Sequence, residues 1–125
     1  MKKVIIAEDH KEVRKRLVEM IFSQGIEIDE VDNGSKLVEK VKFGEYHLIL
    51  TDNKMLIMDG LNAIIKIREF NKEVPIYLLS FESDKGRVKI LEERALEYGA
   101  NGFLNKLDTN LSDKIEEIKK TYLKG

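Results

Sequence analysis

The chain has no cysteine, which excludes disulfides, thiolate metal sites and cysteine nucleophiles and fits a reducing compartment. It has a single proline, Pro75, so only one strand entrance carries that mark. No apolar run approaches the length of a membrane span. Met1-Lys2-Lys3 leads into only Val4-Ile5-Ile6-Ala7 before charges return, too short for the core of a signal peptide. Neither sign of charge dominates: 22 basic and 23 acidic residues are interleaved and sum to −1. That excludes a basic stripe for nucleic acid and a cationic amphipathic helix for a membrane surface. No internal repeat, linker or low-complexity segment divides the sequence. The expectation is a cytoplasmic protein of one domain, residues 1–125, large enough to bury a core without staples.

What is present is organised around Leu48-Ile49-Leu50-Thr51-Asp52, an apolar run that stops on a carboxylate. Four apolar residues without alternation suit a strand buried on both faces, as in a parallel sheet covered by helices. Upstream, Val4 to Ala7 reads as a first strand ending at Glu8-Asp9-His10. Val13, Leu17 and Met20-Ile21 then recur at helical spacing up to Gly25. Ile26, Ile28 and Val31 alternate like an edge strand, and the turn Asp32-Asn33-Gly34 opens a helix carrying Leu37, Val38 and Val41 to near Gly44.

Downstream, Leu61, Ile64, Ile65 and Arg68 mark a third helix, and Pro75 opens the strand Ile76-Tyr77-Leu78-Leu79-Ser80. Val88, Leu91, Ala95 and Tyr98 carry a fourth helix to Gly99. Gly102 to Lys106 reads as the fifth strand. Leu111, Ile115, Ile118 and Tyr122 line a last helix, capped by Asp108 or Thr109. Five strands alternating with five helices through short connections predict an α/β, doubly wound parallel sheet. Right-handed crossovers leave few arrangements, and the flavodoxin-like (βα)5 order 2-1-3-4-5, which places strand one beside strand three, is the one expected.

In that order Glu8, Asp9 and Asp52 converge at the switch point, because adjacent strands lie about 4.8 Å apart. Three such carboxylates repel unless one holds a proton or a hard divalent cation sits among them, and oxygen ligands with room for water suit Mg²⁺. The ends of strands four and five add the Ser80 hydroxyl and the Lys106 ammonium. An aspartate flanked by a metal, a hydroxyl and a lysine is equipped to attack a phosphoryl group. Such a carboxylate is ionised at neutral pH without a base, and the cations offset charge on the equatorial oxygens. Taken singly, Asp52, Glu8-Asp9 and Ser80 also read as turn or cap residues and Lys106 as a solvated lysine. His10 reads as a surface residue at a helix start, and His47 lies at the far end of its strand.

With these residues in place, the sequence resembles the receiver domain of two-component response regulators over essentially its whole length. The resemblance implies that Asp52 is the phospho-acceptor and Asp9 a direct Mg²⁺ ligand. It further implies that Glu8 acts through water, that the Lys54 backbone carbonyl is the third protein ligand, and that Ser80 and Lys106 assist catalysis. Ser80 and Phe103 would form the switch, the ring swinging inward after phosphorylation. Met58-Asp59-Gly60 and Gly99-Ala100-Asn101-Gly102-Phe103 are further family signatures. Ala7-Glu8-Asp9-His10 and Leu79-Ser80 look most like the subgroup that usually carries a helix-turn-helix output, and no output domain is expected within residues 1–125.

Four features depart from the family pattern. Leu56 replaces a proline, and Phe81 replaces a small residue after the switch hydroxyl. Helix four with the loop before it is about one turn longer. Leu107 replaces a proline that follows a cis bond, where a cis bond before leucine would cost about 3 kcal/mol and trans is expected.

The implied function is a signalling module, not a turnover enzyme, phosphorylated by a histidine kinase or phosphotransfer protein and switching a downstream protein partner. A homodimer through the helix 4, strand 5, helix 5 face is an implied option, with no direct contact to nucleic acid or membrane. The competing expectation is a phosphorylation-independent, receiver-like interaction domain. Flavin binding and aspartyl phosphatase chemistry on this fold fit poorly: Glu8-Asp9 would repel a flavin phosphate, and Glu8-Asp9-His10 lacks the Asp-x-Asp of those phosphatases.

Overall fold

The computed structural model describes residues 1–124. Strands β1 (Lys2–Ala7), β2 (Ile26–Val31), β3 (Leu48–Asp52), β4 (Ile76–Ser80) and β5 (Gly102–Asn105) alternate with helices α1 (Lys11–Ile21), α2 (Gly34–Phe43), α3 (Gly60–Arg68), α4 (Lys85–Tyr98) and α5 (Leu111–Tyr122). All pairings are parallel, in the expected order β2-β1-β3-β4-β5. Among the described residues no helix is long and apolar enough to cross a membrane.

The strand period of two divides the apolar residues between two cores. Ile5, Ala7, Ile49, Ile76 and Leu78 pack with Leu37, Val41, Ala63, Ile64, Ile67 and Ala95 under α2, α3 and α4. Val4, Ile6, Leu48, Leu50 and Leu79 pack with Leu17, Ile21, Leu111, Ile115 and Ile118 under α1 and α5. Side chains on both faces of β3 are buried, which is why its sequence does not alternate. Fully burying each Ile or Leu contributes about 2 kcal/mol. Helix α4 is the exception, with only Ala95 buried along 14 residues.

Several boundaries differ from the sequence expectation. Helix α1 ends at Phe22, whose N–H donates to the Val18 carbonyl, and Gly25 instead serves the following turn at φ 88°. Strand β1 begins at Lys2, where it pairs with Ile26. Neither Asp108 nor Thr109 caps α5: Asn110 holds that position without a side-chain bond, and the Asp108 carboxylate takes the Lys114 ammonium at 2.9 Å. Ile65 is 38 % exposed rather than core, because Ala63, Ile64 and Ile67 occupy the inner face of α3.

The loop between β3 and α3 is held tightly at both ends. Gly60 opens α3 so close to the end of β3 that a Cβ there would collide with the Asp52 carbonyl, and its N–H donates to the Asn53 carbonyl at 2.8 Å. Asp59 caps the helix through the Asn62 N–H. Between them Met58 N–H donates back to the Leu56 carbonyl at 2.7 Å, a three-residue turn with Ile57 at φ 70° in its centre. Positive φ at the centre of such a turn is the strained hand, and a β-branched residue tolerates it least. Ile57 is 83 % exposed, so no buried contact compensates. Ile57→Gly should therefore raise stability by about 0.5–1 kcal/mol, glycine's greater unfolded-state entropy offsetting part of the relief. Urea midpoints at equal m-value measure this, and a lower midpoint would show that no strain resides at Ile57.

Candidate functional site

The site forms where β1, β3, β4 and β5 end. Ala7 pairs with Thr51, which brings the following residues Glu8 and Asp52 level. Alternation then sorts the charges. Glu8 continues the face of Val4 and Ile6, Asp52 that of Leu48 and Leu50, and Lys106 that of Leu104, so all three belong to the α1 and α5 side. Ser80 and Phe103 fall on the other face, with Ile76 and Leu78, and the half-buried Phe103 ring packs against the core under α4.

The Lys106 ammonium bonds Glu8 Oε1 at 2.5 Å and Asp52 Oδ1 at 2.9 Å, with its side chain only 4 % exposed. Glu8 and Asp52 are likewise buried, at 1 % and 7 % exposure. The second Glu8 oxygen, Oε2, accepts the His10 N–H at 3.1 Å. Asp9 is exposed beside them, and one oxygen from each of the three acids lies within 4.8 Å of the others. Partial desolvation, and after it the neighbouring Glu8 carboxyl, hold the Asp9 carboxyl above its ordinary range. Three carboxylates against one ammonium leave negative charge uncompensated, and their oxygen-only donor set fits a hard divalent cation.

The helix-cap and solvated-lysine readings of single residues do not hold. The α1, α3 and α4 caps are His10, Asp59 and Asp84, so Glu8, Asp9, Asp52 and Ser80 cap none of these helices. Ser80 is buried at the end of β4, and Lys106 is not solvated. Lys54 lines the same cleft of about 270 Å³ and is exposed. His10 is exposed at the rim, and His47 Nδ1 accepts the Lys3 N–H at 3.0 Å at the opposite end of the sheet. No cis peptide bond occurs among the described residues, so the bond before Leu107 is trans as expected.

The Phe81 ring lies 4.5 Å from the Lys106 ammonium, on the cleft rim, and it is 51 % exposed. Two further residues at the site have no sequence signal strong enough to find them. Arg14 reaches from α1 to the Glu8 carbonyl at 2.8 Å and to Glu30 at 3.1 Å, fixing the acidic turn to β2. Asn105 binds the loop after β4 through its side-chain amide.

A doubly wound parallel sheet with acids after β1 and β3 and a buried lysine after β5 defines a carboxylate-centred site at the switch point. The response regulator receiver domain family matches residues 4–116, and the chain belongs to that family, the receivers of two-component systems. It is 33 % identical over 90 residues to the autoinducer 1 sensor kinase/phosphatase LuxN of Vibrio campbellii, covering 71 % of this chain and 11 % of that protein. It is 30 % identical over 125 residues to protein-glutamate methylesterase/protein-glutamine glutaminase 1 of Syntrophomonas wolfei, covering 98 % of this chain and 35 % of that protein. The chain thus spans a minor part of these relatives. Among solved structures, the response regulator TrrA of Thermotoga maritima, in complex with Mg²⁺-BeF, superposes with a TM-score of 0.79 at 28 % identity, covering 96 % of this chain and 98 % of that one. Receiver domains are signalling domains that bind Mg²⁺ at an acidic pocket and interact with histidine kinases or phosphotransfer proteins.

Proposed function

We propose that Asp52 accepts a phosphoryl group from a phospho-histidine of a histidine kinase or phosphotransfer protein, and that the resulting acyl phosphate switches binding of a downstream protein partner. The observation that carries this is the buried Lys106 ammonium bonded at once to Glu8 and Asp52 at a cleft that Ser80 also lines. In the transfer an Asp52 oxygen bonds to phosphorus as the phosphorus–nitrogen bond breaks and its electron pair returns to the imidazole. Lys106 already engages Asp52 Oδ1 and stands ready to offset charge on the transferring oxygens. Ser80 supplies a hydroxyl from the adjacent strand end.

Asp9, Asp52 and the Lys54 carbonyl would hold Mg²⁺, with Glu8 more remote because both its oxygens are engaged. When bound, the ion supplies further positive charge against the phosphoryl oxygens. The domain acts in the cytoplasm and turns over no substrate of its own. Incubation with Mg²⁺ and a small acyl phosphate, read by intact mass, tests the proposal. One added group per chain supports it, and none would reject it.

The two faces of the sheet support a switch through Ser80 and Phe103. Ser80 and Phe103 share the α4 side, so movement of the hydroxyl toward a phosphoryl oxygen would vacate space for the ring. Ser80→Ala should still accept the group yet show a smaller change in amide protection over α4. A response equal to the parent's would exclude Ser80 from the relay.

Hydrolysis of the acyl phosphate needs a water in line with phosphorus, opposite the Asp52 oxygen. Phe81 and Lys54 both line the cleft it must cross. Phe81→Ala and Lys54→Ala, separately, should speed loss of the phosphoryl group several-fold at unchanged Mg²⁺ saturation. Parent-like rates in both would show that neither side chain gates the water.

A further inference from the structure

Asn105 ends β5 directly opposite Ser80. One residue on, the Lys106 N–H donates to the Ser80 carbonyl at 2.8 Å, and the chain then turns away, Asp108 N–H donating to the Asn105 carbonyl at 3.0 Å. Backbone pairing between the two strands stops there. The Asn105 side chain takes it up. Its Nδ2 donates to the Glu82 carbonyl at 2.7 Å, and its Oδ1 accepts the Glu82 N–H at 3.3 Å and the Leu107 N–H at 3.1 Å. A primary amide carries the same donor and acceptor as a peptide unit, so Asn105 pairs with Glu82 as another strand residue would. The amide orientation is set by these partners, since two N–H groups require the oxygen and one carbonyl requires the NH₂.

We propose that Asn105 is a positioning residue of the phosphoryl-acceptor site. Its amide fastens the loop that follows Ser80 and carries Phe81 to the strand end that carries Lys106. The fastened segment runs from the switch hydroxyl through the ring over the Lys106 ammonium to the start of the approach to α4. Leu107 brings no ring to stiffen this turn, and its N–H is one of the three groups that Asn105 binds. The effect on the loop is independent of chemistry, whereas the effect on rate rests on the acceptor function proposed for Asp52. Asn105 touches no reacting atom, and it acts by holding Ser80 and Lys106 in one arrangement.

The test compares the parent with Asn105→Ala and Asn105→Asp, each well below its unfolding midpoint. Asn105→Asp keeps the shape and the acceptor but turns the donor into an oxygen that repels the Glu82 carbonyl, so it separates pairing from packing and stands in if Asn105→Ala folds poorly. Amide exchange at Glu82 should be about tenfold faster in both variants, with amides of β1 and β3 unchanged. Phosphoryl uptake from a small acyl phosphate at saturating Mg²⁺ should slow by about tenfold, while Mg²⁺ affinity stays within about twofold. A merely structural role would lower the unfolding midpoint and leave the uptake rate of folded protein unaltered. Parent-like exchange in both variants, or freed loops with parent-like uptake, would overturn the proposal. A parent that takes up no phosphoryl group overturns the acceptor function and this proposal together, whereas a labelled parent with unaffected variants overturns this one alone.

Discussion

Asp52→Asn should take phosphoryl uptake from one group per chain to none. Three acids share the cleft, and the structure separates them. Glu8 has one oxygen on Lys106 and the other on the His10 N–H, so neither is free to bond phosphorus. Asp9 is exposed, and no lysine within ion-pair distance flanks it among the described residues. Asp52 has Lys106 on Oδ1 only, Ser80 on the neighbouring strand end and a place on the cleft wall. Replacing its carboxylate by an amide removes the proposed anionic nucleophile while leaving shape nearly unchanged, so the loss reports chemistry rather than folding. Asp9→Asn is the companion measurement. It should still take up one group but require more Mg²⁺, because it loses a metal-facing charge and keeps the acceptor. Stoichiometric labelling of Asp52→Asn would place the acceptor elsewhere. An unlabelled parent that nevertheless binds Mg²⁺ would favour the phosphorylation-independent interaction domain.

Lys106→Met should lower stability by about 3 kcal/mol, and Mg²⁺ should restore much of it. Deleting one partner of a buried ion pair commonly costs about 3–5 kcal/mol, because the remaining charge stays desolvated. Here the residual charges are two: Glu8 and Asp52, both buried and bridged by the same ammonium. The open cleft beside them admits solvent and places the expectation at the lower end of that range. Methionine retains the apolar stem, which keeps packing loss small. Bound Mg²⁺ supplies the missing charge and stabilises by mass action, so the midpoint of the variant should rise with added Mg²⁺ more steeply than the parent's. The double variant with Asp52→Asn should lose less than the sum of the single losses, since one of the stranded carboxylates is gone. Urea titrations with and without Mg²⁺ measure all of this. A Lys106→Met midpoint equal to the parent's, insensitive to Mg²⁺, would mean that the ammonium does not neutralise these acids.

The architecture was legible from the residues because its signals are local. A run such as Leu48-Ile49-Leu50 or a helical spacing such as Leu111, Ile115 and Ile118 depends on neighbours a few positions away, and hydrophobic periodicity reports such neighbours directly. Short connections and right-handed crossovers then left few topologies, and these brought Glu8, Asp9, Asp52, Ser80 and Lys106 to one edge. The sequence therefore determined the fold class, the strand order and the set of groups at the site. Tertiary structure alone decided who bonds to whom. Lys106 and Glu8 are 98 residues apart, and nothing local to either says that one ammonium serves two acids. The Phe81 ring stands over that ammonium, Asp84 rather than Ser80 caps α4, and Asn105 spends its amide on Glu82. Each choice turns on distances of a few ångströms between segments remote in sequence. Hydrogen bonds and ion pairs are made or lost over such distances, whereas the apolar pattern that builds the sheet tolerates them.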